Sequence, residues 1–263
     1  MESPARRPVA LVTGASRGVG AALARELARH GHDLVLSARD TESMQVLADE
    51  LRRIGAATTV IAADLSIPGA AARLGRELDA RGLNIDVLIN NAGLGGLGRF
   101  DRIDPTRIAE MLQVNIVALT ELTRLILPGM IARRHGRVML VGSVAGFSPG
   151  PGMGVYFATK AYVLSLGEAL AHELRGTGVT VTTLCPGATA TDFFDVAGAT
   201  RRFLARRRGR MMQADRVARI GYDALVAGRP VAIAGAANRL SAFAGRHAPR
   251  WLTLPVTRHQ MSD

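Results

Sequence analysis

The sequence of 263 residues predicts one α/β domain in which a parallel β-sheet is covered by helices on both faces. Seven short apolar runs alternate along the chain with helical stretches, which is the order that βαβ units produce. The runs are rich in β-branched residues and apolar at successive positions, as strands buried on both faces are. Because no linker or internal repeat interrupts the alternation, we assign residues 1–263 to a single domain.

The predicted elements follow one another in a regular order. The strands are Val9–Thr13, Asp33–Ala38, Thr58–Ala63, Asp86–Asn90, Arg137–Val141, Val179–Leu184 and Pro230–Ala234. The helices are Gly18–His30, Thr41–Ile54, Ala70–Arg81, Pro105–Arg134, Val155–Arg175 and Ala214–Ala227. Two segments lack this periodicity, namely residues 192–212, which we assign to a substrate loop, and residues 235–263, a C-terminal extension. The core is therefore predicted at residues 8–234.

The chain is strongly basic, with 33 Lys and Arg against 22 Asp and Glu and a net charge of +11. Only Lys160 is a lysine, so something at that position does not accept the arginine used elsewhere. The basic cluster Arg201–Arg210 contains one aromatic residue, Phe203, which is too few for a base-stacking surface. We expect solvated arginines there and no nucleic-acid partner.

A single cysteine, Cys185, excludes an intrachain disulfide framework and a cysteine-based metal cluster, and no metal is expected. The N-terminus does not show the charged and apolar segments of a signal peptide. The longest uncharged run, Val138–Thr159, contains five glycines and two prolines, which argues against a membrane-spanning helix. We therefore expect a cytoplasmic protein.

The first predicted strand leads into a glycine-rich turn, Thr13–Gly20, ahead of the first helix. Gly14, Gly18 and Gly20 allow a tight turn and a close approach of backbone to a phosphate, and the helix N-terminus offers free N–H groups. The spacing is Gly-x-x-x-Gly-x-Gly instead of the commoner Gly-x-Gly-x-x-Gly. An ordinary strand–helix turn can also be rich in glycine, so the turn favours a dinucleotide site without establishing one.

The end of the second strand indicates which dinucleotide would bind. A carboxylate there would bind the ribose 2′-hydroxyl of NAD, but Arg39 occupies this place and Arg17 lies in the glycine-rich turn. Two guanidinium groups suit a 2′-phosphate, so the sequence predicts NADP(H), unless both are incidental surface arginines. Asp64, after the third strand, is a candidate for the adenine amino group or else a turn aspartate. The run Asn90–Gly93 suits backbone that passes close to a cofactor.

Tyr156 and Lys160 lie four residues apart at the start of a predicted helix, so their side chains share one face. A free tyrosine has a pKa of about 10, and a neighbouring ammonium group lowers that pKa. Lysine supplies a compact charge whose geometry the arginine fork cannot copy, which explains the single lysine. Ser143, after the fifth strand, can hold a substrate oxygen. The other interpretation is an amphipathic helix with a solvated lysine and an interfacial tyrosine.

Together and in this order, these motifs resemble those of the short-chain dehydrogenase/reductase family. The resemblance covers Pro8 to Ala234 and includes Asn115 and Pro186-Gly187. It implies a Rossmann-type sheet of seven parallel strands in the order 3-2-1-4-5-6-7. It also implies a catalytic tetrad of Asn115, Ser143, Tyr156 and Lys160, in which Asn115 holds a water linked to Lys160.

The cofactor-binding residues follow from the motifs and from this resemblance. Thr191 matches a threonine that binds the nicotinamide carboxamide, whereas Thr189 departs from the family, which usually has an aliphatic residue there. The full set is Gly14, Ser16, Arg17, Gly18, Val19, Gly20, Arg39, Asp64, Leu65, Asn91, Ala92, Gly93, Tyr156, Lys160, Pro186, Gly187, Thr189 and Thr191.

We therefore expect an NADP(H)-dependent oxidoreductase (EC 1.1.1.-) that reduces a ketone or aldehyde by hydride transfer, with Tyr156 as general acid/base. The sequence is similar to the DltE-like and 3-oxoacyl-reductase-like branch of the family and also to hydroxysteroid dehydrogenases. Candidate substrates thus include 3-oxoacyl thioesters and steroid-like ketones. An apolar pocket favours a hydrophobic substrate. Its predicted walls are Leu94, Leu97, Val144, Phe147, Met153, Phe193 and Phe194.

The alternative to an enzyme is an NADPH-binding sensor or scaffold without turnover, against which the complete tetrad argues. Arg134 matches a docking arginine of 3-oxoacyl-carrier-protein reductases, so an acyl-carrier protein or a coenzyme A thioester is a candidate partner. Apolar residues on more than one face of the two long helices predict a homodimer or homotetramer. The C-terminal extension could cover a neighbouring subunit, lengthen the substrate pocket or contact a membrane surface.

Overall fold

The computed structural model describes residues 6–200, 209 and 211–261, and it confirms the predicted sheet. Seven parallel strands lie in the order β3-β2-β1-β4-β5-β6-β9, in which β9 is the seventh predicted strand. They are β1 (Val9–Thr13), β2 (Asp33–Ala38), β3 (Thr58–Ala62), β4 (Val87–Asn90), β5 (Gly136–Val141), β6 (Val179–Cys185) and β9 (Val231–Ile233). A second, two-stranded parallel pair joins β7 (Thr189–Ala190) to β8 (Met212–Gln213).

The strand register brings the functional turns to one edge of the sheet. In β1 and β2, Val9 pairs with Asp33 and Thr13 with Ser37, so both strands end at the same level. Pairing of β4 with β5 reaches Asn90 and Leu140. Because all these strands are parallel, the turns that follow them meet at the carboxyl edge, where ligands bind in open α/β sheets.

Helices cover both faces of the sheet. One face is covered by α1 (Gly18–Arg29), α2 (Thr41–Arg53) and α8 (Ala214–Val226), whose buried apolar residues form one core cluster with the strands. The other is covered by α3 (Ala70–Ala80), α5 (Leu119–Ala132) and α6 (Gly154–Glu173). In α1, α2, α3 and α8 the buried apolar residues recur at helical spacing on the side that faces the strands, as the sequence predicts.

The helix predicted at Pro105–Arg134 is interrupted. It consists of α4 (Pro105–Leu112), a π-helical turn at Gln113–Ala118 and then α5. A π-helical turn inserts an extra residue and is frequent at functional sites. Here it contains the fully buried Asn115, whose side chain bonds outside the helix.

By length and composition alone, the helical stretch Pro105–Ala132 is apolar enough to cross a membrane. Its inward side, however, carries Val114, Leu119 and Leu122 into the core beneath the sheet. We therefore interpret it as a core helix of the α/β fold.

The outward side of this stretch is apolar too. The predicted assembly rests on apolar residues on more than one face of the two long helices, and several of these are buried within the subunit, namely Met111, Leu119, Leu122, Val163 and Leu164. The large apolar side chains exposed along α4, the π-helical turn and α5 are Leu112, Val117, Leu125 and Ile131. Assembly into a homodimer or homotetramer stays a prediction, and this is the surface available for it on these helices.

The two segments without periodicity contain helices. The predicted substrate loop begins with the short helix α7 (Phe193–Val196) and ends in β8. The C-terminal extension forms α9 (Ala236–His247) and α10 (Arg250–Met261). Within the cluster Arg201–Arg210, all residues except Gly209 lie outside the described residues.

Candidate active site

A cleft of about 1210 Å³ opens along the carboxyl edge of the sheet. All of the predicted cofactor-binding residues except Gly20 line it, as do Ser143, Tyr156 and Lys160. Asn115 lies beneath the cleft and is fully buried. The parallel strands and α6 thus bring residues from widely separated segments of the sequence to one place.

The glycine-rich turn is built for close packing. Gly14 and Gly18 have φ angles of +63° and +59°, in the left-handed region that glycine adopts without strain. A Cβ atom at Gly20 would lie 2.2 Å from the Gly14 carbonyl oxygen, so no side chain fits there. The Asn91 amide donates to the carbonyl oxygens of Thr13 at 2.9 Å and Gly14 at 3.1 Å. Gly20 therefore acts by allowing the turn to fold and does not line the cleft.

The start of α1 fits a phosphate. Its N-cap residue, Arg17, forms no side-chain capping bond, and its first turn contains no acidic residue. Gly18 and Val19 of this turn line the cleft. A helix N-terminus with N–H groups left for a ligand and no competing carboxylate suits the diphosphate of a dinucleotide.

The adenosine end of the cleft carries the two predicted arginines, Arg17 and Arg39. The adjacent carboxylate, Asp40, caps α2 by accepting bonds from the Ser43 N–H at 3.0 Å and the Ser43 hydroxyl at 2.6 Å. These bonds lower the pKa of Asp40. Arg17 Nη1 lies 3.5 Å from Asp192 Oδ2, and both side chains are exposed. Asp40 is thus engaged at the start of α2, while Arg17 and Arg39 line this part of the cleft.

Asp64 is held in a turn of its own. Burial alone would raise its pKa, but bonds from the Ser66 hydroxyl at 2.6 Å and the Ser66 N–H at 3.0 Å, with the charge of Arg39, lower it overall. The carboxylate lines the cleft beside Leu65, so the geometry is compatible with both the adenine contact and the turn role.

Tyr156 lies on the first turn of α6, partly buried at the centre of the cleft. Burial raises its pKa to about 12, and the hydrogen bond with Ser143 lowers it in part. Its ring packs at 5.2 Å between centroids from the ring of Phe193. The phenol is therefore protonated at neutral pH and stands between Ser143 and an apolar wall.

Lys160 is buried one helical turn further along α6. Its Nζ donates to the Val141 carbonyl oxygen at 2.7 Å and lies 5.8 Å from the centroid of the Tyr156 ring. Burial lowers its pKa to about 8. We expected the ammonium group to lower the pKa of Tyr156, but in this structure desolvation of the phenol dominates and the pKa is raised. Tyr156 is consequently a protonated phenol at neutral pH in this structure.

Ser143 ends the run from β5 and caps the 3₁₀ turn Val144–Phe147. Its hydroxyl oxygen accepts a bond from the Ala145 N–H at 3.1 Å, and its contact with the Pro186 carbonyl oxygen is long, at 3.4 Å. The backbone bond fixes the position of the oxygen and leaves the hydroxyl hydrogen free to turn toward the cleft. Ser143 can therefore donate to an oxygen beside Tyr156.

Asn115 joins three segments under the site. Its Oδ1 accepts from the Leu94 N–H at 2.8 Å, and its Nδ2 donates to the Leu94 carbonyl oxygen at 2.9 Å and to Thr159 Oγ1 at 3.0 Å. A Cβ atom at Gly93 would lie 3.5 Å from both Asn115 Oδ1 and Lys160 Nζ. The two side chains thus converge in front of Gly93, and the predicted role of Asn115 in holding water stays a prediction.

Most of the predicted apolar wall is present. Leu94, Val144, Met153, Phe193 and Phe194 line the cleft. Two of the predicted wall residues, Phe147 and Leu97, do not line the cleft. The ring of Phe147 is buried instead with Leu164, Cys185 and Ala242, because it fills the space between α6 and α9. Leu97 packs behind the wall against Ala145, Met153 and Phe157.

The C-terminal extension adds residues to the cleft that the sequence did not reveal, namely Ala237, Asn238, Ser241, Thr257 and His259. Asn238 Nδ2 donates to the Ala234 carbonyl oxygen at 2.6 Å, and a Cβ atom at Gly187 would lie 2.4 Å from Asn238 Oδ1. The only signal in the sequence was the position of this asparagine just after the last strand. Of the roles expected for the extension, lengthening of the pocket agrees with this geometry.

Comparison with known proteins identifies the family. A family model described as short chain dehydrogenase matches residues 8–202. The chain belongs to this family. The NADP-dependent 3-hydroxy acid dehydrogenase YdfG of Escherichia coli (strain K12) is 36% identical over 190 residues, which is 72% of this chain and 75% of YdfG.

Solved structures of short-chain dehydrogenases agree in fold. A short-chain dehydrogenase from Sphingobium yanoikuyae in complex with NADPH is 36% identical, with a TM-score of 0.80 over 90% of this chain and 92% of that one. The bulky-bulky ketone specific alcohol dehydrogenase from Comamonas testosteroni is 32% identical, with a TM-score of 0.76 over 96% and 92%. The protein is thus a short-chain dehydrogenase and an NAD(P)-dependent oxidoreductase.

Proposed function

We propose that this short-chain dehydrogenase is an NADP(H)-dependent carbonyl reductase that converts a bulky, hydrophobic ketone or aldehyde to an alcohol. The observation that carries the proposal is that Ser143, Tyr156 and Lys160 meet in one cleft beside the rings of Phe193 and Phe194. The likeness to a dehydrogenase of bulky ketones supports the substrate class. Steroid-like ketones and 3-oxoacyl thioesters, including those on coenzyme A or an acyl-carrier protein, belong to this class.

The residues act on the carbonyl oxygen of the substrate. The nicotinamide cofactor, when bound, supplies the hydride that the carbonyl carbon receives. Tyr156 donates its phenolic proton to the oxygen, and Ser143 donates a hydrogen bond that holds the oxygen in place. With a pKa of about 12, the phenol of Tyr156 carries its proton at neutral pH. In reduction this proton is the one that the substrate oxygen receives.

Lys160 supports the same proton transfer. With a pKa of about 8 it is an ammonium at neutral pH, held by its bond to the Val141 carbonyl oxygen. When Tyr156 gives up its proton, this positive charge stabilises the phenolate that forms, because the two groups share a buried site. Arginine would keep the charge but not the compact shape that this position allows.

The preference for NADP(H) rests on Arg17 and Arg39. Both line the adenosine end of the cleft, and the adjacent carboxylate of Asp40 is engaged as the cap of α2. A 2′-phosphate would find two guanidinium groups there, and the bond between Arg17 and the exposed Asp192 is weak enough to be exchanged for it.

The test is a panel of ketones and aldehydes with NADPH or NADH, with cofactor oxidation followed at 340 nm. We expect NADPH turnover with bulky apolar ketones and little with small polar ones. The competing function, a sensor or scaffold, predicts NADPH binding without turnover on any member of the panel. Equal affinity for NADH and NADPH would contradict the assigned cofactor.

A further inference from the structure

The two C-terminal helices expose a large apolar surface. Trp251 is 72% exposed, Leu240 71% and Phe243 65%. We call this the tail surface, and its residues are Leu240, Phe243, Trp251, Leu252, Leu254 and Val256. A single exposed apolar residue is ordinary, but six large ones on two consecutive helices favour a binding surface.

Helix α9 separates its two sides clearly. Ala242 and Gly245 are buried, and a Cβ atom at Gly245 would lie 3.2 Å from the Phe147 carbonyl oxygen, so this side packs closely on the domain. Leu240, Phe243 and His247 recur at helical spacing on the opposite side, where the rings of Phe243 and His247 lie 4.7 Å apart. The small residues face inward and the large apolar ones face water, which reverses the usual order for a surface helix.

Helix α10 shows the same reversal more strongly. Among its described side chains, residues 250–259, Thr253 is the one that is buried. Trp251, Leu252, Leu254 and Val256 are all exposed. Little of the apolar area of this helix is removed from water by the domain itself, so the helix is stabilised further by any apolar medium that covers its outer side.

The charge on these helices has one sign. From residue 224 to residue 262 the sequence contains no Asp or Glu, whereas Arg239, Arg246, Arg250 and Arg258 lie in α9 and α10. Arg246 is paired with Glu168 at 3.1 Å, and Arg250 Nη1 donates to the Gly245 carbonyl oxygen at 2.9 Å. Arg239 and Arg258 are exposed at the border of the tail surface. Exposed apolar and basic side chains without acidic ones are complementary to an anionic, apolar layer.

We propose that the tail surface binds an anionic lipid bilayer. Trp251, Phe243 and Leu240 would enter the headgroup and upper acyl region, while Arg239 and Arg258 contact lipid phosphates. Helices with this division of residues lie in the plane of the interface. The opposite side of the same helices carries Ser241 and Thr257 to the cleft. Binding would therefore place the cleft mouth beside the layer into which hydrophobic ketones partition.

The proposal is tested by co-sedimentation with vesicles of phosphatidylglycerol or of phosphatidylcholine, without cofactor or substrate. We expect the protein to sediment with phosphatidylglycerol and to remain soluble with phosphatidylcholine. Salt at about 0.5 M should release it, because the Debye length falls from about 8 Å at physiological ionic strength to roughly 4 Å. Replacing Leu240→Ser, Phe243→Ser and Trp251→Ser together should reduce the bound fraction at least about ten-fold. Each of Arg239→Gln and Arg258→Gln should cost about five-fold in affinity.

Matched controls lie on other helices. Val46 on α2 is 68% exposed, and Arg76 on α3 is exposed, so Val46→Ser and Arg76→Gln change the same chemistry elsewhere. Both should bind vesicles as the unchanged protein does. The tail variants should keep the melting temperature and the NADPH affinity, which shows that the loss of binding is not unfolding.

Two results would overturn the proposal. One is the absence of sedimentation with phosphatidylglycerol, or sedimentation that the triple variant retains. The other is that the unchanged protein does not bind vesicles and that the triple variant has a lower molar mass than the unchanged protein by light scattering. The tail surface would then be an interface between copies of this chain. Since vesicle binding is measured without turnover, failure of the carbonyl reductase assignment would leave the result intact, and the reverse also holds.

Discussion

The two ends of the cleft are built in different ways. The nucleotide end consists largely of backbone in the turns after β1 and β4, where Gly14, Gly20 and Asn91 leave no room for larger groups. The substrate end consists of side chains from α6, α7, α9 and α10, such as Phe193 and Asn238, which are distant in sequence. The nucleotide end depends on local turn geometry, and the substrate end depends on the packing of segments from the C-terminal half of the chain. Substitutions should therefore abolish function at one end and change selectivity at the other.

The largest effect is expected at Tyr156, where the two ends meet. Tyr156→Phe removes the proton donor and should lower turnover by about 10²–10⁴-fold while NADPH binding, followed by fluorescence titration, stays unchanged. Tyr162→Phe is the matched control, since this tyrosine lies on the same helix, is 37% exposed and bonds Thr120 Oγ1 at 2.9 Å. Retention of more than about a tenth of the rate in Tyr156→Phe would show that the acid is misassigned.

The next effect tests the backbone construction of the nucleotide end. Gly20→Ala would place a Cβ atom 2.2 Å from the Gly14 carbonyl oxygen, so the turn must open. We expect NADPH affinity to fall by at least about ten-fold, with a lower melting temperature, because packing this tight cannot relax without moving backbone. Gly75→Ala on α3 adds the same methyl group 3.4 Å from Leu125 Cδ1, an ordinary contact, and should leave both quantities unchanged.

A side chain at the nucleotide end should change the choice of cofactor instead of abolishing binding. Arg39→Asp removes a positive charge and adds a carboxylate that repels a 2′-phosphate but can accept a bond from a ribose hydroxyl. The ratio of kcat/KM for NADPH to that for NADH should fall by about ten-fold or more, and the preference should reverse. An exposed arginine elsewhere, Arg76→Asp, serves as control; an unchanged ratio in Arg39→Asp would mean that the phosphate lies elsewhere.

The acid–base pair sets the pH profile. Burial lowers the pKa of Lys160 to about 8 and raises that of Tyr156 to about 12, so the form with ammonium and phenol exists below pH 8. Reductive kcat/KM should be flat near neutral pH and fall as pH rises through about 8, because Lys160 loses its proton. Lys160→Arg should be slower but lack this decline, since arginine stays charged. A flat profile to pH 10 in the unchanged enzyme would exclude Lys160 as the titrating group.

The smallest effect is expected at the substrate end. Phe193 packs on the Tyr156 ring and contributes to the wall without any bond to the tetrad. Phe193→Ala should raise KM for bulky ketones by roughly ten-fold while kcat for a small ketone changes less than two-fold, in keeping with about 1–3 kcal/mol for lost apolar contact. Loss of turnover on every substrate would show that this ring positions Tyr156 and that the two ends are not separable.

The same contrast explains what the sequence could predict. The bounds of the strands and of most helices agree with the prediction within one or two residues, because the alternation of buried and exposed positions depends on residues that are close in sequence. Thr13–Gly20, Ser143 and Tyr156 could be predicted from short motifs. The π-helical turn could not be foreseen, because it depends on bonds between Asn115 and the distant Leu94. Phe147 was assigned to the wrong side, since its position depends on α9, an element without a recognisable pattern. Asn238 and Thr257 reach the cleft for the same reason.

Asn115 holds the wall residue at position 94 through backbone groups alone, so the place of this residue does not depend on which side chain it carries. Both of its contacts with residue 94 are made to the backbone N–H and carbonyl oxygen, while Leu94 lines the cleft and also packs against the core. Any residue except proline can offer the same two backbone groups. Redesign of substrate choice can therefore begin at position 94, where new side chains enter the cleft while the tetrad keeps its attachment to the loop.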